Sequence, residues 1–110
     1  MEKKVLLINI RIAGDGILSP EDLPHLVRRV SEVVSEGGSE AIVISGRLPV
    51  WAFCALTHHF HPRPLVATFE PRMGKGVCIA SHTPEVSVGD LIPVDDAEIV
   101  DIEYLPLHLQ

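Results

Sequence analysis

Residues 41–51 of the chain, with the sequence AIVISGRLPVW, decide the fold. The apolar run over residues 41–45 is typical of a short strand that is buried on both faces of a sheet. Gly46 then frees the backbone to turn. Pro49 suits the first turn of a helix, where its missing N–H would be unpaired in any case. We therefore predict a buried strand that leads through a tight turn into a helix over residues 49–61.

The turn between this strand and this helix is a candidate anion site. The first N–H groups of a helix have no partner within the helix, and the helix dipole favours negative charge at that end. Arg47 can hold a phosphate through two parallel N–H groups. We predict that Ser45, Gly46 and Arg47 bind phosphate groups of a nucleic acid.

Strands and helices alternate in the flanking sequence. Residues 5–12 predict a first strand, and apolar residues at helical spacing after Ser19 and Pro20 predict a helix to about residue 36. Further strands are predicted at residues 65–69, 77–80, 86–94 and 98–104, with a break at Gly89 and Asp90 in the strand over 86–94. This order predicts an α/β fold in a single domain of residues 1–110. We expect a small three-layer Rossmann-like sheet with two main helices and antiparallel C-terminal strands.

Charge is distributed unevenly along the chain. The net charge of −6 argues against indiscriminate binding to nucleic acid. Of the 15 acidic residues, only Glu70 lies within residues 41–84, a window that also holds Arg47, Arg63, Arg72, Lys75 and four of the six histidines. An acidic body with one basic segment is typical of a protein that receives a specific polyanion there. The alternative is that apolar core strands simply exclude acids.

Histidines and one carboxylate are candidate metal ligands. His58 and His61 are three residues apart, which makes them neighbours on one helical face. His82 follows one predicted strand, and Glu70 follows another. Three imidazoles and a carboxylate can hold a divalent cation, and manganese or magnesium suits the oxygen ligand. The alternative is that the histidines are incidental.

The topology predicts that these groups lie at two different edges of the sheet. In a right-handed β–α–β unit the two strands are parallel, so residues 45–47 and 70–72 share the edge where α/β sheets bind ligands. His58 and His61 lie toward the opposite edge, and His82 joins them if the third and fourth strands form a hairpin. Six residues at about 3.3 Å each separate the edges by roughly 20 Å. We therefore hypothesise that the histidines of one copy meet a ligand held by another copy.

Taken together, these motifs resemble those of a known family. The sequence ISGRLPVW at residues 44–51, His58 with His61, EPRMG at residues 70–74, SH at residues 81–82 and GD at residues 89–90 carry the resemblance. They look like the third family of ring nucleases, small CRISPR-associated proteins of type III systems with a CARF-like domain. The similarity covers residues 41–92 closely and residues 1–40 only in the order of the elements.

The resemblance implies an activity. It implies a manganese-dependent phosphodiesterase that degrades cyclic tetra-adenylate, the second messenger of type III immunity, and so switches off the effector nucleases. It implies metal ligands at His61, Glu70 and His82, which belong to the catalytic set. From their chemistry, we predict that Arg72 joins this set by holding a phosphate and that His58 contacts the ligand. The resemblance also implies homodimers that stack on the ring, or on short oligoadenylate RNA, into a tetramer or a higher assembly. The family usually has aspartate where this chain has Glu70.

Two other functions agree with the same residues. One is a sensor or sponge that binds the cyclic nucleotide without cutting it, and the other is an apolar oligomerising scaffold. No apolar run reaches the roughly 20 residues that a membrane span needs, and the N-terminal residues lack a signal-peptide pattern. Cys54 and Cys78 have no metal or redox spacing, so we expect buried free thiols in a reducing cytoplasm.

Overall fold

Strands and helices alternate over the first two thirds of the chain, and strands follow. The structure is a computed structural model and describes residues 4–110, so the first three residues of the N-terminal segment lie outside it. In chain order the elements are β1 (Val5–Ile12), α1 (Leu23–Val33), β2 (Ala41–Gly46), α2 (Val50–His59), β3 (Leu65–Glu70), β4 (Lys75–Ser81), β5 (Leu91–Ile92) and β6 (Glu98–Tyr104). Short 3-10 turns lie at Pro20–Asp22 and Leu107–Leu109.

The strands form one sheet in the order β5-β4-β3-β2-β1-β6. β1 pairs in parallel with both β2 and β6, and β2 pairs in parallel with β3. β4 is antiparallel to β3, and β5 is antiparallel to β4. The parallel centre and the two helices confirm the predicted Rossmann-like α/β class.

Both helices pack on the same face of the sheet. Buried residues of α1 and α2 share one apolar cluster with alternate residues of the central strands, among them Leu26, Val30, Leu56, Ile8 and Ile44. β1, β2 and β3 follow one another across the sheet in chain order. Right-handed crossovers between such strands place their helices on the same face. A second cluster, which includes Val43, Ala67, Cys78 and Ile92, covers part of the opposite face. The described residues therefore form two layers of helix and sheet rather than the predicted three.

The C-terminal third differs most from the prediction. The break predicted at Gly89 and Asp90 is a turn, with a φ of 95° at Gly89. Of the strand predicted over residues 86–94, only Leu91–Ile92 forms. The last strand, β6, is parallel to β1. Residues 93–97 run along the edge where β1, β2 and β3 begin, and they share a cavity there with Lys4, Ala41 and Leu65. The chain therefore enters β6 from the same end as β1.

The structure also bears on the predictions about the two cysteines and about membrane-spanning segments. Both cysteines are free, but only Cys78 is buried, and Cys54 lies on the exposed side of α2. Within residues 4–110, no helix combines the length and the apolar composition that crossing a bilayer requires.

Candidate functional site

A cleft of about 680 Å³ opens where the parallel strands end. Ser45, Gly46 and Arg47 line it together with the ends of β1 and β3. The carboxyl ends of parallel strands are where α/β sheets bind ligands. The structure thus brings the three predicted phosphate-binding residues together at one candidate site, and their binding role stays a prediction.

The close approach of β1 and β2 shapes the floor of the cleft. Gly46 has a φ of 146°, and a Cβ at this position would lie 2.5 Å from the carbonyl oxygen of Ile10. Only glycine fits such a position without strain. The first residues of α2 are not among the described residues that line the cleft. The predicted anion site at the N-terminus of α2 stays a prediction.

Glu70 ends β3 beside the cleft and is paired with Arg72. The backbone N–H of Arg72 donates to Oε2 of Glu70 at 2.9 Å, and its guanidinium lies 3.4 Å from each carboxylate oxygen. These hydrogen bonds lower the pKa of Glu70 and raise the pKa of Arg72. The sequence predicted both residues at this edge, and the structure joins them as an ion pair.

His58, His61 and His82 lie at the other end of β3. The rings of His58 and His61 stack, with centroids 5.6 Å apart and planes inclined by 14°. Nδ1 of His61 lies 3.0 Å from the carbonyl oxygen of His58, and Nε2 of His82 lies 2.9 Å from that of His61. Because a carbonyl oxygen only accepts, these ring nitrogens donate. In the neutral tautomers compatible with these bonds, Nε2 of His61 and Nδ1 of His82 carry the lone pairs.

The hairpin of β3 and β4 brings His82 to this end. Leu65 is opposite Ser81, and the backbone N–H of His82 donates to the carbonyl oxygen of Pro64 at 2.8 Å. This confirms the hairpin that the topology required. Metal-binding histidines usually donate one ring N–H to a carbonyl or carboxylate, which fixes the ring and its tautomer. His61 and His82 are held in this way.

The two ends do not meet within one chain. The length of β3, at about 3.3 Å per residue, separates Glu70 from His61 and His82 by roughly 20 Å. Among residues 4–110, no three histidine, cysteine, aspartate or glutamate side chains converge on one metal position. The predicted ligand set is split as the topology indicated. Its chemistry suits a divalent cation only if a second copy supplies the missing ligand.

One residue of the predicted basic segment has a structural role instead. Arg63 is only 3% exposed, and its guanidinium donates to the carbonyl oxygen of Ser35 and to the carboxylate of Glu40. Gly38 packs against it so closely that a Cβ there would lie 2.6 Å from Nη1. Arg63 therefore clamps the loop between α1 and β2 and does not contribute to a basic surface.

Several residues that line the cleft were not predicted as site residues. Asn9 and Arg11 of β1, Phe69 of β3 and the loop of residues 14–16 all line it. The loop follows the first strand and contains two glycines with φ values of 73° and 76°. A glycine-containing loop directly after the first strand of a β–α–β unit is a common ligand position, so this pattern was available in the sequence.

The chain is similar to known proteins over a span that includes both ends of the candidate site. A family model described as CRISPR-associated protein (Cas_csx3) matches residues 11–93, a span that runs from the cleft to His82. A protein of Aquifex aeolicus (strain VF5), described as uncharacterized, is 39% identical over 86 residues. The aligned residues make up 78% of this chain and 75% of that protein.

Proposed function

Because the chain belongs to the Cas_csx3 family of CRISPR-associated proteins, we propose that it is a metal-dependent phosphodiesterase of type III CRISPR systems. In this proposal it is a ring nuclease that cleaves cyclic tetra-adenylate and so ends the signal. The observation that carries the proposal is the hydrogen bonding of the rings of His61 and His82. Each has one ring nitrogen held by a backbone carbonyl and one free lone pair, as a metal ligand requires.

The cleft supplies the proposed ligand site. Its volume of about 680 Å³ is within the range of roughly 300–1,000 Å³ for small-molecule pockets. Arg47 is exposed at its rim, where its guanidinium can pair with phosphate oxygens. A ring of four nucleotides is larger than a typical small molecule. We therefore place the ring between two copies, with the cleft of one copy facing the histidine end of another.

Each end then has its own chemical task. Arg72 pairs with Glu70 and presents its remaining N–H groups to a phosphate oxygen. His61 and His82 from one copy, with Glu70 from another, would hold the cation. When bound, manganese would polarise the phosphate and offset the charge of the transition state. His58 is exposed beside His61, so its ring can accept the proton of the attacking hydroxyl as a general base.

An assay with cyclic tetra-adenylate tests this proposal. We expect linear products with manganese and none with EDTA. His61→Ala and His82→Ala should abolish turnover while the protein stays folded. His25→Ala, which removes an exposed histidine of α1, is the matched control and should cleave at the wild-type rate. Undiminished cleavage in EDTA, or by the His61→Ala variant, would contradict the proposal.

A second candidate function is a binding module that sequesters the ring without cutting it. The ion pair of Glu70 and Arg72 favours it, because both carboxylate oxygens already have partners in the isolated chain. To ligate a cation, Glu70 must share or release these bonds. Tight binding of the ring with no products at any manganese concentration would identify this module.

A further inference from the structure

A row of side chains crosses the sheet at the floor of the cleft. The strand register places Asn9 of β1 directly between Asp101 of β6 and Ser45 of β2. β2 pairs with β3 as far as Ile44 and Thr68, so Phe69, the next residue of β3, lies at the level of Ser45. Alternate residues of a strand share a face, so all four side chains lie on the face opposite the helices. Three of them, Asn9, Ser45 and Phe69, line the cleft.

The amide of Asn9 has a fixed orientation. Its Nδ2 donates to Oδ1 of Asp101 at 3.1 Å, and a carboxylate only accepts, so Oδ1 of Asn9 points the other way. Asn9 is exposed, and this bond leaves its Oδ1 and its second N–H available to a ligand. That pair matches the N6 amino group and the N7 atom of adenine, which an asparagine amide recognises through two parallel hydrogen bonds.

Phe69 supplies a flat apolar surface at the other side of the row. Its ring is half-buried and packs against the second apolar cluster, and Gly76, its partner on β4, has no side chain to cover it. Adjacent strands are about 4.8 Å apart, which places Asn9 and Phe69 about 10 Å apart across Ser45. This gap is wide enough for one flat base. Aromatic rings that line such gaps are common stacking surfaces for unpaired bases.

We propose that this row is a base subsite that selects adenine. Asn9, held by Asp101, pairs with the N6 and N7 edge of the base, and Phe69 stacks on its face. Ser45 and Arg47 lie beside the subsite, where the attached phosphate would be. The inference rests on the proposed function, because it names the residues that read the bases of the ring.

Binding measurements with altered rings test the subsite without cleavage. Affinities are measured in EDTA for cyclic tetra-adenylate, for the same ring built from inosine, and for the ring built from 7-deazaadenosine. Inosine lacks the N6 amino group, and 7-deazaadenosine lacks the N7 acceptor. We expect the wild-type protein to bind each altered ring about tenfold or more weakly, because each change removes one of two paired hydrogen bonds.

Variants locate the effect on Asn9. Asn9→Ala should bind the adenosine ring as weakly as the wild-type protein binds the inosine ring, and it should not distinguish the two. Asp101→Ala should lose part of the preference, because the amide of Asn9 is no longer oriented. Glu98→Gln is the matched control, since Glu98 begins the same strand at its far end and pairs with Lys4. It should keep the wild-type preference.

The possible outcomes distinguish a failure of the base subsite from a failure of the proposed function. Wild-type protein that binds the adenosine and inosine rings equally well would overturn the base subsite and leave the ring-binding function intact. An unchanged preference in Asn9→Ala would overturn it in the same way. A wild-type protein that binds none of the rings would overturn the proposed function, and the base subsite with it.

Discussion

At the scale of single residues, the chemistry of the proposed site depends on one carboxylate, Glu70, and on its partner Arg72. Glu70 accepts from both the backbone and the guanidinium of Arg72, and these bonds hold its pKa below the ordinary value. The side chain is therefore an anion at neutral pH, as a metal ligand must be. Its position at the end of β3 directs this charge toward the edge of the cleft.

Glu70→Gln removes this charge and keeps the shape of the side chain. We expect cleavage of cyclic tetra-adenylate to fall about 100-fold or more, because an amide is a far weaker ligand for a cation. Ring affinity in EDTA should stay near the wild-type value. Turnover is measured by separation of linear from cyclic product. A variant that cleaves at the wild-type rate would remove Glu70 from the metal site.

Asp22 is a buried carboxylate with a different task. It accepts hydrogen bonds from the hydroxyl of Tyr104 at 2.8 Å, from the backbone N–H of Leu107 at 2.8 Å and from that of Ser19 at 2.9 Å. Burial opposes its charge, but these bonds outweigh that cost and lower its pKa to about 2. Burial and the bond to Asp22 raise the pKa of Tyr104 to about 12.

Asp22→Ala should lower the free energy of unfolding by about 2–4 kcal/mol at pH 7, because it leaves buried donors unpaired. The folded-state pKa of Asp22 is depressed, so its contribution is complete above pH 4. It is lost as the pH falls from about 4 toward 2. Urea unfolding at a series of pH values measures the difference. Asp95→Ala, at an exposed position, is the control, and an equal loss in both variants would contradict the role of Asp22.

At the scale of secondary-structure elements, the cleft depends on how closely β1 and β2 approach. Gly46 has the positive φ and the short distance to Ile10 that exclude any side chain. It lies in the stretch that defined the predicted strand–turn–helix unit. The same glycine therefore ends β2 and shapes the floor of the candidate ligand site.

Gly46→Ala should cost about 2–3 kcal/mol of stability, because it combines backbone strain with a steric clash. We also expect weaker binding of the ring, since the strand ends must separate to admit the methyl group. Thermal unfolding and ring affinity are measured together. Gly37→Ala is the matched control, because a Cβ at that position has no atom within 4 Å. Equal behaviour of the two variants would show that the approach of β1 to β2 is unimportant.

The strands and helices with strong periodic patterns could be predicted from the sequence, but the extent of β5 and the direction of β6 could not. The periodic patterns of β1, α1, β2, α2 and β3 are long and strong, and the predicted elements match the structure with small differences at their ends. The break at Gly89 was predicted, but the strand on its N-terminal side does not form. It was predicted because the alternation of Val86 and Val88 with polar residues resembles that of a strand. The direction of β6 depends on the path of residues 93–97, which no local pattern encodes. Asn9 was missed as a site residue for a similar reason, since its partner Asp101 is distant in sequence.

At the scale of the whole molecule, the protein separates its candidate chemistry between two ends of one strand. Glu70 and Arg72 lie at one end of β3, and His61 and His82 lie at the other. The sheet face opposite the helices is covered only in part, and Ile99 of β6 is 62% exposed on it. Parallel strands are usually covered on both faces. Both features are explained if the working form of the protein contains more than one copy.

Complementation between two inactive variants tests whether the metal site is shared between copies. His61→Ala retains Glu70, and Glu70→Ala retains His61, so each protein alone should be inactive. If the site combines the histidine end of one copy with Glu70 of another, an equal mixture should recover about a quarter of the wild-type rate after subunit exchange, because random pairing unites two intact ends in that fraction of interfaces. A mixture that exchanges subunits and remains inactive would contradict a site shared between copies.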